Sequence, residues 1–173
     1  NTPGHLRMAY ALAYQLLGYP SQFMKFVALS FDDGPNTVTT PKVLDVLREN
    51  GVKASFFVIG NKIDKKSAAV MKRASEMGCD IENHSFTHSH MTQMSEADIK
   101  DEVAKTSALV QKYTGRAPQF FRPPYIDVND LMYNAIDLTF ICGVGCEGWV
   151  KEVTADMRAR RILDSVKDGD IIV

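Results

Sequence analysis

Short apolar runs alternate with longer amphipathic stretches along most of this 173-residue chain. Residues 26–31 (FVALSF) and 54–59 (ASFFVI) are rich in the aromatic and β-branched side chains that favour buried strands. After the first of these runs, apolar residues such as Leu44 and Leu47 recur at the spacing of a helix that packs on one face. Strands that alternate with helices predict βα units in a mainly parallel sheet or barrel, and therefore an α/β fold.

The remaining predicted elements continue this alternation. They are strands at 80–83, 120–121 and 138–142, helices at 41–50, 67–77, 96–114, 131–136 and 155–166, and a last apolar segment at 171–173. Ser95 and Asp98 resemble a capping box at the start of the longest helix. Residues 5–17 predict one more helix outside the alternation. We therefore expect a helical extension over residues 1–20, followed by one domain over residues 21–173.

The composition is that of a globular protein and argues against several function classes. Hydrophobic residues make up 45% of the chain and charged residues 24%, which is ordinary for a soluble domain. The net charge of -1 lacks the basic surplus that a nucleic-acid-binding surface needs, so we expect no nucleic-acid partner. No stretch approaches the roughly 18 consecutive apolar residues of a membrane span. The three cysteines are too few for a disulfide scaffold.

Three polar motifs each follow the carboxyl end of a predicted strand. They are Asp32-Asp33-Gly34-Pro35, His84-Ser85-Phe86-Thr87-His88 and Arg122-Pro123-Pro124-Tyr125. Because active sites of α/β folds collect at that edge, we expect the three motifs to meet there.

The first motif has a structural and a functional interpretation. Asp-Gly-Pro is good turn chemistry, so Asp33-Gly34-Pro35 alone is explained by a turn. A turn does not explain two acids directly after a buried strand. One carboxylate, of Asp32 or Asp33, could bind a metal while the other accepts a proton.

The second motif supplies a histidine pair that a metal could use. His84 and His88 together with Asp33 would make a site of two histidines and one carboxylate, which leaves a position open for water. The same ligands also suit iron(II), and His90 competes as a ligand. The alternative interpretation is a pair of hydrogen-bonded surface histidines.

The third motif places an arginine before two prolines. The alternatives are a rigid loop, a proline-rich partner motif, or an arginine that holds a carboxylate. A bidentate contact from Arg122 to Asp32 would position that carboxylate and keep it ionised.

Together, the three motifs resemble those of the polysaccharide deacetylase family (NodB homology, carbohydrate esterase family 4). Residues 31–35 are similar to the family's first motif, residues 84–88 to its His-(Ser/Thr)-x-x-His motif, and residues 122–125 to its Arg-x-Pro-Tyr-type motif. Residues 54–60 also look like the family's second strand. The resemblance runs from about Val27 to the last residue. It implies a distorted, incomplete (β/α) barrel.

The resemblance also implies a role for each site residue. Asp32 would be the general base, oriented by Arg122, and the Tyr125 backbone N–H would help to stabilise the oxyanion. The implied metal ligands are Asp33, His84 and His88, and the metal is usually zinc, with cobalt or nickel as alternatives. The implied sugar-site residues are Pro124, Tyr125 and Trp149; the alternative role of Trp149 is core filler.

The chain departs from the family pattern at two places. The fourth motif has two acids before a tryptophan, but here Gly145 and Gly148 stand at the acid positions, with Glu147 nearby and Trp149 kept. The fifth motif carries a histidine that serves as general acid, and the chain stops at Val173 before it. We therefore expect a barrel truncated at its C-terminal end. Because amide cleavage needs leaving-group protonation more than ester cleavage does, we expect more activity on O-acetyl esters than on N-acetyl amides.

Three functions follow from these observations. The leading hypothesis is a metal-dependent hydrolase that deacetylates peptidoglycan, a chitin-like polymer of N-acetylglucosamine, or acetylated xylan. The second is a non-catalytic carbohydrate-binding relative, and the third is a hydrolase of small amides. Polymeric substrates imply an extracellular or cell-surface location.

Overall fold

The computed structural model describes residues 26–145 and 148–173. The predicted N-terminal extension, Cys146 and Glu147 therefore lie outside the described residues. The chain divides into a larger unit, residues 29–143 with Val173, and a smaller unit that contains residues 144–172 and the segment up to Ala28.

The strands run parallel, and in the larger unit their spatial order follows their order in the chain. They are Ala28–Gly34 (β1), Ser55–Val58 (β2), Asp80–Asn83 (β3), Phe120–Phe121 (β4) and Thr139–Phe140 (β5). Each strand pairs with the next one in parallel. This order lacks the reversal of a doubly wound sheet and is that of an incomplete (β/α) barrel, so the predicted fold class is confirmed.

Helices follow the strands as predicted. The larger unit contains Thr39–Glu49 (α1), Lys65–Glu76 (α2), Glu96–Thr114 (α3) and Asp130–Ala135 (α4). Three short 3-10 helices lie between them, at Gly60–Lys62, Met91–Gln93 and Pro124–Ile126. No helix of the described residues combines the length and the apolar character that crossing a membrane requires.

The smaller unit contains the helix Ala155–Ser165 (α5) and the strand Ile171–Ile172 (β6). Thr154 caps α5, because its hydroxyl accepts a hydrogen bond from the Met157 N–H at 3.3 Å. Ile172 also forms a parallel bridge with Val144.

Several predicted boundaries differ from the structure by one to three residues, and two of the differences have identifiable reasons. Helix α2 starts two residues before the predicted Ser67, because Asp64 caps it by accepting from the N–H groups of Lys66 and Ser67. Strand β1 continues through both acids to Gly34, and its register against β2 shifts between Phe31 and Gly34. Such a bulge redirects side chains locally, which matters for the two acids.

Two apolar clusters pack the helices onto the sheet of the larger unit. The first contains Leu44 of α1, Met71 of α2 and Val58 of β2. The second contains Ile99 of α3 and Phe121 of β4, both fully buried. Burying a side chain of this size stabilises the fold by roughly 1.5–3 kcal/mol. The clusters therefore fix the helices behind the strand ends that carry the three motifs.

One carboxylate is buried at a strand junction. Glu82 on β3 is 4% exposed, and one oxygen, Oε2, accepts hydrogen bonds from the Gln119 and Phe120 N–H groups, each at 2.8 Å. Burial raises the pKa of Glu82 to about 7, although the two hydrogen bonds oppose this effect.

We predict that Glu82→Gln increases the free energy of unfolding, relative to the wild type, by more at pH 8 than at pH 4. The pKa of Glu82 is higher in the folded state than in the unfolded state. This group therefore contributes stability at pH values below its unfolded-state pKa, and the contribution is lost as the pH rises through about 7. At about 1.4 kcal/mol per pKa unit, the ionised Glu82 costs about 3 kcal/mol. A glutamine oxygen can still accept both N–H groups. Urea unfolding of both proteins between pH 4 and pH 8 checks this, and parallel profiles would contradict it.

Candidate metal centre and active site

The structure brings the three motifs together at the carboxyl ends of neighbouring strands, as predicted. Asp32 and Asp33 lie at the end of β1, His84 follows β3 directly, and Arg122 follows β4. Backbone bonds connect these strand ends, since the Arg122 N–H donates to the Asn83 carbonyl at 3.0 Å.

Asp33, His84 and His88 form a candidate metal centre. Their potential ligand atoms all lie within 4.8 Å of one another. Oδ1 of Asp33 is 3.5 Å from Nε2 of His84 and 3.2 Å from Nε2 of His88. Two imidazole nitrogens and one carboxylate oxygen are the donor set of catalytic zinc sites.

The orientation of the His84 ring is set by a backbone group. Its Nδ1 lies 2.6 Å from the Arg122 carbonyl oxygen. Because a carbonyl can only accept, Nδ1 must carry a proton, and Nε2 faces Asp33. A second hydrogen bond of this kind commonly fixes the tautomer of a metal-ligating histidine.

The electrostatics of the centre favour the protonation states that a metal requires. A hydrogen bond from the His84 side chain, and then the charges of His88, His84 and Lys62, hold the pKa of Asp33 below its usual range, although burial opposes them. Burial, followed by the charge of His84, lowers the pKa of His88. An ionised carboxylate and a neutral imidazole are the forms that bind metals.

The second acid is held by a buried arginine. Arg122 is fully buried, and its Nη1 donates to Oδ1 of Asp32 at 2.6 Å and to the Ser30 hydroxyl at 2.9 Å. The predicted bidentate contact is wrong. The guanidinium lies over the Phe57 ring at 4.0 Å and reaches Asp32 through Nη1 alone, and its Nε and Nη2 have no hydrogen-bond partner among the described residues. The expected pairing of Asp32 with Arg122 is nevertheless present.

Tyr125 lies on the outer side of the metal centre. Its ring is 58% exposed, meets the His88 ring edge-on at 4.8 Å and stacks on His90 at 4.0 Å. His90 is thus engaged with Tyr125, and the group of potential ligands among the described residues does not include it. Pro124, directly before Tyr125 in the same loop, is buried.

Residues with positive φ are concentrated at the site. Five non-glycine residues of the described chain have φ between 55° and 66°, and all lie within the three motifs or directly after the third: Asp33, Ser85, His88, Tyr125 and Ile126. Each such conformation costs on the order of 1–2 kcal/mol and persists only where surrounding contacts hold it. The sequence gives no signal for this strain.

A cavity of about 340 Å³ opens beside the two acids. Its lining combines apolar Phe31 and Phe56 with polar Asn36, Thr39 and Lys62. The Lys62 ammonium also donates to the Asp33 carbonyl at 3.0 Å. A small, partly apolar cavity with a few polar groups is typical of ligand sites.

The structure leaves one predicted substrate contact untested. Trp149 belongs to the smaller unit and is 80% exposed, so it does not fill a core there. Its contact with sugar remains a prediction. Sequence reasoning missed Ser30 and Phe57, which hold Arg122; both lie inside predicted strands, where a packing role is the ordinary expectation.

We predict that Asp33→Ala weakens zinc binding by more than about 100-fold, since loss of outer partners alone typically costs roughly 10–100-fold. Asp32→Asn should leave the affinity nearly intact, because Asp32 contacts Arg122. His90→Ala is the matched control, since it removes an imidazole next to the centre that stacks on Tyr125. Calorimetric titration of metal-stripped protein measures all three. Equal losses in Asp33→Ala and Asp32→Asn would mean that the two roles are assigned wrongly.

Comparisons with known proteins agree with this geometry. The family described as Polysaccharide deacetylase matches residues 21–140. A bifunctional xylanase/deacetylase of Pseudobutyrivibrio xylanivorans is 42% identical over 156 residues, 90% of this chain and 26% of that protein. The peptidoglycan-N-acetylglucosamine deacetylase PgdA of Listeria monocytogenes is 37% identical over 150 residues, 86% of this chain and 32% of that protein.

A solved structure is also similar. The family 4 acetyl xylan esterase from Clostridium thermocellum, in complex with a cobalt ion, superposes with a TM-score of 0.82 at 42% identity and covers 84% of this chain and 71% of that one. The chain spans about a quarter to a third of the length of the two curated relatives above. By the extent of the family match and these identities, the chain belongs to the polysaccharide deacetylase family.

Proposed function

We propose that this chain is a metal-dependent hydrolase that removes acetyl groups from a polysaccharide. The observation that carries the proposal is the juxtaposition of two differently held acids. Asp33 faces the two histidines, whereas Asp32 pairs with Arg122 and lies 3.9 Å from Nε2 of His84. A ligand and a base are therefore adjacent, as metal-assisted hydrolysis needs.

The donor set fits a divalent metal, with Asp33, His84 and His88 as its ligands. We propose zinc, because two histidines and one carboxylate are a common catalytic zinc set, and the cobalt-bound relative is compatible with this choice. A zinc ion held there supplies a Lewis acid and lowers the pKa of water.

The chain's own residues then carry the proton and the charge. Asp32 takes the proton of the attacking water, an effect typically worth roughly 10²–10⁴-fold. Arg122 keeps Asp32 in place, since its guanidinium is buried and cannot turn to solvent. The Tyr125 backbone N–H donates to the oxyanion that forms when water adds to the acetyl carbonyl. Collapse of this intermediate breaks the bond between the acyl carbon and the sugar oxygen or nitrogen and releases acetate, and the leaving group takes the proton that Asp32 accepted.

Acetylated xylan and polymers of N-acetylglucosamine are the proposed substrates. The names of the relatives support both, because one is a xylanase/deacetylase and another acts on peptidoglycan. Such polymers place the proposed activity outside the cell or at its surface. Pro124, Tyr125 and Trp149 are the residues that we propose to contact the sugar.

We expect the zinc-loaded protein to release acetate from acetylated xylan or from N-acetylglucosamine oligomers. Asp32→Asn should lower the rate by about 10²–10⁴-fold while zinc still binds. Acetate is measured enzymatically, and small acetylated amides serve as the comparison substrates. Asp101→Ala, an exposed carboxylate on α3 paired with Lys105, is the control and should keep full activity.

Zinc binding without acetate release from any substrate would contradict the proposal. Binding of the same oligosaccharides would then favour the second candidate, a non-catalytic carbohydrate-binding relative. Gly145 and Gly148, at positions where the family has acids, are the observation that keeps this candidate open.

A further inference from the structure

The loop that carries both histidines is strained at its two ends. Ser85 has φ 63° and His88 has φ 60°, in the left-handed region that favours glycine. Both conformations are unfavourable for a residue with a side chain, so contacts elsewhere must hold the loop in this shape. Since His88 is a candidate ligand, whatever holds the loop also sets the metal centre.

Two carbonyl groups of the loop accept hydrogen bonds from residues outside it. The Ser85 carbonyl accepts from the Gly60 N–H at 3.0 Å and from the Thr106 hydroxyl at 2.9 Å. The Phe86 carbonyl accepts from the Asn61 N–H at 2.9 Å. These contacts satisfy acceptors but leave the N–H groups in the middle of the loop to another partner.

That partner is the buried carboxylate of Glu102 on α3. Its Oε2 accepts from the Phe86 and Thr87 N–H groups, each at 2.8 Å, and its Oε1 accepts from the Thr87 hydroxyl at 2.9 Å. Hydrogen bonds to a carboxylate are stronger than those between neutral groups. Three of them hold the loop against the strain of its two left-handed residues.

The helix beneath Glu102 is itself fixed. Ile99 and Val103 of α3 belong to the second apolar cluster, and the Asn83 side chain donates to the Val103 carbonyl at 2.9 Å. Glu102 is 8% exposed, so water does not compete freely for its oxygens. A rigid helix thus presents a rigid acceptor to the loop.

We infer that Glu102 is a positioning residue for the metal centre. By holding the Phe86 and Thr87 N–H groups, it fixes the loop in the conformation that brings Nε2 of His88 next to Asp33. The inference rests on the metal-binding part of the proposed function and concerns a residue 14 positions beyond His88 in the chain.

The geometry supplies a conservative variant. Both backbone N–H groups donate to the same oxygen, and a single amide oxygen can accept both. In Glu102→Gln, the amide NH₂ would face the Thr87 hydroxyl, which can accept as well as donate. Glutamine should therefore preserve the loop, whereas alanine removes all three bonds.

The test is a zinc titration of metal-stripped protein by calorimetry. Glu102→Ala should weaken the affinity about 10–100-fold, as loss of a supporting partner typically does. Glu102→Gln should stay within about threefold of the wild type. Asp101→Ala, an exposed carboxylate on the same helix, should have no effect.

A stability control separates positioning from general loosening. Val103→Ala destabilises α3 from the side of the second apolar cluster and leaves the Val103 carbonyl in place, and thermal unfolding of the metal-free proteins compares it with Glu102→Ala. We expect Val103→Ala to keep its zinc affinity at a similar loss of stability. Affinity that falls equally in both variants would overturn the inference, as would a folded Glu102→Ala with wild-type affinity.

A further variant keeps the test decisive if Glu102→Ala does not fold. Glu102→Asp keeps the charge but retracts the carboxylate by one methylene, so it should also weaken zinc binding; unchanged affinity would overturn the inference. If the wild type itself binds no zinc, the metal centre fails and the role of Glu102 fails with it. If the wild type binds and Glu102→Ala binds equally well, only the role of Glu102 fails.

Discussion

Arg122, whose guanidinium is fully buried, contacts both the proposed base and a candidate metal ligand. The side chain of Arg122 holds Asp32, and its carbonyl oxygen orients the ring of His84. The charge of Arg122 is buried and needs an anion nearby, because an unpaired buried charge costs several kcal/mol. Arg122 thus couples the position of Asp32, the proposed base, to the ring orientation of His84, a candidate metal ligand. The parallel strands make this possible, since β1, β3 and β4 end at the same edge of the sheet.

The fold tolerates local strain at this edge because the layers behind it are well packed. The five left-handed residues of the described chain lie within the three motifs or directly after the third. Behind them, Ile99, Phe121 and Met132 are fully buried in one cluster. Contacts in front of this cluster hold the site residues: Glu102 accepts hydrogen bonds from the histidine loop, and Ser30 and Phe57 contact Arg122. The strained residues lie at or next to the residues that we propose to meet substrate and metal, which is where strained backbone tends to be found.

Much of the fold and of the candidate centre could be predicted from the sequence. Apolar runs placed the strands, and the acids and histidines at their carboxyl ends indicated a common site. What could not be predicted depends on contacts between distant segments. Arg122 contacts Asp32 through one nitrogen and lies over the ring of Phe57, 65 residues earlier, and neither feature follows from the local sequence. The contact of Glu102 with the histidine loop could not be predicted, because a glutamate in an amphipathic helix is expected to face solvent. His90 was considered as a ligand because of its spacing, but its stacking on Tyr125 depends on a loop 35 residues away.

The roles that we propose for Asp32 and Asp33 follow from the surroundings of each side chain, since both residues are aspartates. Two adjacent carboxylates would raise each other's pKa unless each had a cationic partner of its own. In a regular strand these two side chains would point to opposite faces, but with the bulge in β1 and the positive φ of Asp33 both carboxylates lie near Nε2 of His84, at 3.9 Å for Asp32 and 3.5 Å for Asp33. Asp32 then meets Arg122 and is mostly buried, whereas Asp33 meets the histidines and is largely exposed. A permanent cation is suited to a base that must stay in place during a reaction. The exposed acid, whose partners are imidazoles with exchangeable protons, is suited to accept a metal from solution. The different partners of the two acids, Arg122 for Asp32 and the histidines for Asp33, therefore support the roles that we propose for them.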